Sequence, residues 1–82
     1  MTPAQCRAAR ALLGWKQIDL GKKAGTKSHM PVFYYEKYEN ETRMTGTYEG
    51  ARYVSLDTVD RMRAALEKAG IEFIGTTGVD LK

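Results

Sequence analysis

Three glycines, Gly14, Gly25 and Gly70, each close a stretch in which apolar residues recur at helical spacing, and together they limit this chain to short helices. Thr2 before Pro3 reads as an N-cap followed by the residue best tolerated at the first helical position. Cys6, Ala9, Arg10 and Leu13 then recur at i, i+3, i+4 and i+7, with Leu12 alongside, which gives an amphipathic first helix ending at Gly14. A shorter second helix fits residues 16–24, burying Leu20, Gly21 and Ala24, with Gly25 where the chain needs a positive φ. A glycine inside a helix costs roughly 0.5–1 kcal/mol against alanine, so Gly21 predicts a close helix–helix approach.

The aromatic segment "GTKSHMPVFYYEKY" follows. Ser28 can cap a third helix, with Pro31 still in its first turn, where the missing N–H does no harm. Val32, Tyr35 and Glu36 share one face of it; Met30, Phe33, Tyr34 and Lys37 share the other. The cluster therefore divides, with Val32 and Tyr35 assigned to the core and Phe33 and Tyr34 pointing away.

Residues 40–54 are too polar and glycine-rich for a helix. Thr45 and Thr47 alternate with Met44 and Tyr48, Glu49-Gly50 offers a turn, and Arg52, Tyr53 and Val54 return, so a β-hairpin is expected at 43–54. Tyr48 and Tyr53 read as cross-strand packing. Ser55 caps a fourth helix running to Ala69, with Leu56, Val59, Met62, Leu66 and Ala69 as its buried stripe. "IEFI" and "VDLK" flank "GTTG" and suggest a β segment at 71–82. Ile71 and Phe73 alternate with Glu72 and Ile74, so this strand is expected to pack one face on the helices and offer its edge to a second copy. That would put Ile71, Phe73 and Ile74 at a dimer interface; folding "VDLK" back on "IEFI" within one subunit is the alternative.

Charge is unevenly spread. Residues 1–27 hold six basic residues against Asp19 alone, whereas 28–82 hold seven basic and nine acidic ones. A basic N-terminal third on a weakly acidic remainder is a footprint for a polyanion or a merely solvated basic face. A domain of 82 residues buries about 60–65% of its unfolded surface, so a partner subunit would help stabilise it. No apolar run is long enough to span a membrane and the opening residues lack the apolar core of an export signal. The single Cys6 permits no intramolecular disulfide, and the expected location is the cytoplasm. One His and one Cys, without metal-ligand spacing or a phosphate loop, leave no nucleophile–base pair, so no enzyme, cofactor or metal is expected.

The order of these elements carries a resemblance. Arg10, Leu13-Gly14-Trp15, Gln17, Leu20-Gly21, Ala24-Gly25 and the Val32-x-x-Tyr35-Glu36 run resemble the XRE (Cro/C1-type) helix-turn-helix regulators, and "SLDTVDRMRAALEKAGIEFI" resembles small bacterial members of the group. Together these segments cover about 60 of the 82 residues. Three departures stand out: Lys16 replaces the usual capping Ser, Thr or Asn, the turn before helix 3 holds one extra residue, and the connection from helix 3 to helix 4 is longer than usual.

The resemblance implies a single domain over 1–82, mainly α: a four-helix lambda-repressor-like DNA-binding fold with short β-hairpin additions and the helix-turn-helix at about 16–38. It implies that Arg10 and Glu36, both charged residues on apolar faces, form a buried ion pair. It makes helix 3 the reader of the major groove of double-stranded DNA, with Ser28, His29, Met30, Phe33 and Tyr34 at base edges. Lys16, Gln17, Lys27 and Lys37 would hold phosphates. The expected function is transcriptional control, repression above all, by a homodimer on a two-fold operator. So apolar a reading helix leaves one alternative, a modulator in the manner of an antiactivator or antitoxin that uses this surface to bind a second protein.

Overall fold

Thr2 begins the fold as a reciprocal cap. Its hydroxyl accepts the Gln5 N–H at 3.1 Å and the Gln5 side chain accepts the Thr2 N–H at 2.9 Å, which satisfies two of the amide donors that a helix start leaves unpaired. In the computed structural model, which describes residues 1–37 and 54–82, this opens helix α1, Pro3–Leu13. Gly14 stops it in the left-handed conformation at φ 69°. Helix α2 spans Gln17–Lys23, α3 Met30–Lys37 and α4 Leu56–Lys68, and strands β1, Ile71–Ile74, and β2, Gly78–Leu81, follow. Among the described residues the architecture is thus four helices and one two-stranded antiparallel hairpin. The β-hairpin expected at 43–54, Val54 apart, lies outside the described residues, as does Tyr38 at the end of the expected helix-turn-helix segment.

All four helices and β1 contribute to one core, against which Val79 of β2 packs half-buried. Cys6 and Ala9 come from α1, Leu20 and Ala24 from α2, Val32 and Tyr35 from α3, Val59, Met62 and Leu66 from α4 and Ile71 from β1, with Val54 beside them. The stripe on α4 is one residue shorter at each end than its periodicity predicts. Leu56 is 61% exposed and Ala69, the C-cap, half-buried. Ser55 does cap α4, its hydroxyl accepting the Thr58 N–H at 3.2 Å.

The terminal segment pairs with itself. Ile71 faces Leu81, Glu72 faces Asp80, Phe73 faces Val79 and Ile74 faces Gly78, around a turn at 75–77. One long edge of β1 is therefore taken by β2, and the expectation that Ile71, Phe73 and Ile74 form a dimer interface is corrected for two of the three. Ile71 is fully buried in the core, and Phe73 is half-buried with the Arg63 guanidinium 5.3 Å from its ring centre. Only Ile74 is exposed, at 54%. The pairing follows the alternative in which "VDLK" folds back on "IEFI" within one subunit.

Gln5, which the sequence did not single out, ties α1 to this hairpin. It is buried, and its amide donates to the carbonyls of Gly75 at 3.0 Å and Gly78 at 2.9 Å, while the Thr2 hydroxyl donates to the Thr76 carbonyl at 3.1 Å. All three hydrogen-bonding sites that Gln5 uses are internal, so an apolar substitute strands its partners. Gln5→Leu is expected to cost about 2 kcal/mol and to lower the thermal midpoint by roughly 8–16 °C in a domain of this size. A melt followed by circular dichroism measures it; an unchanged midpoint means that the turn does not depend on the clamp.

Candidate nucleic-acid interface

The geometry of the basic N-terminal region is set by the turn between α2 and α3. Gly25 takes φ 81° and Lys27 takes φ 64°, so the chain reverses through two left-handed residues. Glycine adopts this freely; Lys27 bears a cost of roughly 1–2 kcal/mol. The Thr26 N–H donates to the Gly21 carbonyl at 2.9 Å, and the Thr26 hydroxyl lies 2.9 Å from the carbonyl oxygens of both Gly21 and Ser28. A Cβ on Gly21 would stand 2.1 Å from the Ser28 carbonyl oxygen. Gly21 is therefore the point where the turn leading into α3 lies directly on α2: the close approach is of helix to turn, whereas the sequence suggests helix to helix. The Ser28 hydroxyl then accepts the Met30 N–H at 3.1 Å and opens α3.

Lys16 precedes α2 without a side-chain acceptor to cap it. The Lys16 backbone carbonyl accepts the Asp19 N–H at 3.0 Å, and the Asp19 carboxylate accepts the Lys16 N–H at 2.8 Å, half of a reciprocal cap. This leaves the Lys16 side chain exposed.

Behind the turn, Glu36 fastens α3 to α1 and α2. Only 4% exposed, its carboxylate accepts Arg10 Nε at 2.7 Å and Arg10 Nη2 at 2.6 Å, the bidentate geometry that makes such pairs strong. It also accepts the Cys6 thiol at 3.3 Å and the Gln17 amide at 3.3 Å, and the Glu36 backbone carbonyl accepts Arg7 Nη2 at 3.1 Å. Arg10 Nη1 continues the network to the Trp15 carbonyl at 2.9 Å. The hydrogen bonds to Glu36 push the Arg10 guanidinium still higher than its ordinary range, and burial beside this carboxylate pushes the Cys6 thiol well above its own. Cys6 is thus an uncharged donor in the core, not a nucleophile. The Gln17 amide donates inward to Glu36 with one N–H, while its half-buried side chain also lines an open depression beside Phe33. A polar residue at the start of a short helix reads as exposed until the buried acceptor beneath it is seen.

The outer face of α3 carries the remaining candidates. His29 is exposed, and Met30 and Phe33 are each 38% exposed. The His29 and Phe33 rings meet edge to face at 6.4 Å, Phe33 and Tyr34 at 5.2 Å, and Lys37 Nζ lies 5.8 Å from the Phe33 ring centre. Tyr34 is a correction: it is half-buried and packs against the core cluster, since its place beside Phe33 turns it toward the flank of the helix. Lys27 and Lys37 are exposed, and Ser28 is half-buried. A shallow depression lined by Arg7, Gln17, Phe33 and Lys37 joins α1 and α2 to this face. Among the described residues no group of His, Cys, Asp and Glu could hold a metal ion, and no helix is long and apolar enough to cross a membrane.

Comparisons with family models, with curated proteins and with solved structures gave no match to this chain.

Proposed function

We propose that this protein is a sequence-specific DNA-binding regulator of transcription, a repressor, with α2 and α3 as a helix-turn-helix and α3 as the reading helix in the major groove. The observation that carries this reading is the seating of α3. Its inner face is fixed by Gly21 and by the Arg10–Glu36 pair, while His29, Met30 and Phe33 stand outward beside Lys27 and Lys37. A reading helix needs this combination, a rigid base and an exposed face, because side chains discriminate bases only when held in register. His29 offers a donor to guanine N7 or O6, and Met30 and Phe33 offer apolar contact to a thymine methyl. Lys16, Lys27 and Lys37 supply phosphate contacts, and the second N–H of the Gln17 amide is left for another. A homodimer on a two-fold operator would set two copies of α3 about 34–36 Å apart, one turn of DNA, and Ile74, exposed on the face of the hairpin away from buried Ile71, is the apolar side chain we assign to the contact with the second copy.

A gel-shift titration on the DNA upstream of its own coding region, repeated across a salt series, tests the reading. Lys16→Ala and Lys27→Ala are expected to weaken binding to all sequences alike and to flatten the salt dependence by roughly one phosphate contact each. His29→Ala and Phe33→Ala are expected to cost about 1–3 kcal/mol on the operator and to relax preference at particular base pairs. If both kinds of variant change operator and random DNA equally, α3 is not the reader. Ile74→Glu is expected to lower the sedimenting mass and to weaken binding to the two-fold site more than to a half-site.

A second reading rests on the His29–Phe33–Lys37 array itself, an exposed aromatic centre of the kind that anchors protein interfaces. It requires a protein partner and no salt-dependent DNA binding, so the same titration separates the two.

A further inference from the structure

Trp15, the only tryptophan in the chain, lies outside the DNA-binding reading. It lines a cleft of about 310 Å³ together with Lys23, Ala65, Lys68 and Ala69, at the place where α2 and α4 both end. We propose that this cleft binds a small planar monoanion, an aromatic carboxylate, with its ring against the indole and the two alanines and its charge between the two lysines.

The size of the cleft sets the first limit. Ligand pockets run from about 300 to 1,000 Å³, so this one takes a single ring system and not a nucleotide or a peptide. Its chemistry sets the second. The apolar part is supplied by Trp15, Ala65 and Ala69, and the polar part by two cations with no carboxylate among the lining residues. Each helix C-terminus contributes roughly half a negative charge, so the ends of α2 and α4 together cancel about one of the two lysine charges. The balance is close to one positive charge, which suits a monoanion better than a phosphate dianion.

The site is also held in place. The Trp15 backbone N–H donates to the Arg10 carbonyl at 2.9 Å, and Arg10 Nη1 donates back to the Trp15 backbone carbonyl at 2.9 Å, which fixes the main chain that carries the indole. The indole is half-buried against the core and not free to sweep through solvent. A ligand here therefore meets a surface that is already formed, which lowers the ordering cost of binding.

The indole reports on its own site, so the full chain can be titrated with benzoate and, separately, with neutral benzamide of the same shape, following tryptophan emission. Benzoate is expected to produce a saturable change with a Kd on the order of millimolar, as a ligand of so few atoms allows. Benzamide is expected to bind at least about fivefold more weakly, the effect of one solvent-screened charge contact. Lys23→Ala and Lys68→Ala, both at exposed positions, are each expected to weaken benzoate by about fivefold and to leave benzamide and the thermal midpoint unchanged. Equal affinity for benzoate and benzamide, parental affinity in the lysine variants, or an emission change that never saturates overturns the proposal and leaves the two lysines as caps for their helix ends.

Discussion

Glu36→Ala is expected to abolish cooperative folding near physiological temperature, the largest loss of stability of any single substitution considered for this chain. Removing one partner of a buried ion pair costs about 3–5 kcal/mol, because the other charge is left stranded. Here the stranded group is Arg10, whose Nε and Nη2 both lose their acceptor, and the Cys6 and Gln17 donors lose theirs as well. A chain of 82 residues has a total stability of roughly 4–12 kcal/mol, so the loss is comparable with the whole. Glu67→Ala removes the half-exposed partner of Arg63, an i,i+4 pair at 3.2 Å, and should cost no more than about 0.5 kcal/mol. A thermal melt of both variants reads the difference directly, and midpoints within a few degrees of one another would mean that the Arg10–Glu36 pair does not hold α3 in place. The double variant Arg10→Met/Glu36→Leu is expected to recover much of the lost stability, since apolar packing often replaces a buried pair without penalty.

Much of this architecture is legible without coordinates because it depends on local chemistry. Thr2, Ser55, Gly14 and Gly70 mark helix ends by what their side chains or backbones can do, and these marks hold whatever the helices pack against. The charge of Glu36 on an apolar face is legible for the same reason, since burial of a carboxylate demands a donor. What escapes local reading is the far side of each contact. Ile71 and Phe73 show that one strand face is apolar, but only the fold decides that the core takes Ile71 completely and that Arg63 covers Phe73. Gln17 looks solvent-facing by period, and only the position of Glu36 turns its amide inward. Gln5 looks like an ordinary helical residue until the hairpin turn arrives from about 70 residues away to use its amide. At the candidate interface the sequence separates inner and outer faces of α3 correctly for Val32, Tyr35, Glu36, Met30 and Phe33, and misjudges Tyr34, which lies at the boundary between them.

Gly21→Ala is expected to destabilise the domain, against the ordinary rule for helices. At an unpacked position the change would be favourable by roughly 0.5–1 kcal/mol, since glycine is the poorer helix former. At this position the new Cβ would stand 2.1 Å from the Ser28 carbonyl oxygen, 3.0 Å from the Ser28 carbonyl carbon and 3.0 Å from the Thr26 hydroxyl. Two of those atoms are backbone and cannot rotate aside, so the turn that leads into α3 has to move off α2. Overpacking of a filled site costs about 1–3 kcal/mol, and a clash with main chain belongs at or above the upper end. The steric cost exceeds the propensity gain, and the net loss is about 2 kcal/mol or more, a fall in midpoint of at least roughly 8 °C. Gly14→Ala provides the contrast. Its φ of 69° strains any side chain, yet nothing lies within 4 Å of the added Cβ, so it should cost only the roughly 1–2 kcal/mol of a left-handed residue. The two variants differ further in what they do to α3. On the proposed DNA-binding reading, at a temperature where both remain folded, Gly14→Ala should bind DNA like the parent, whereas Gly21→Ala, with α3 displaced, should lose operator preference while keeping salt-sensitive binding to random DNA. A Gly21→Ala protein as stable as the parent would show that α2 does not touch the turn at Ser28.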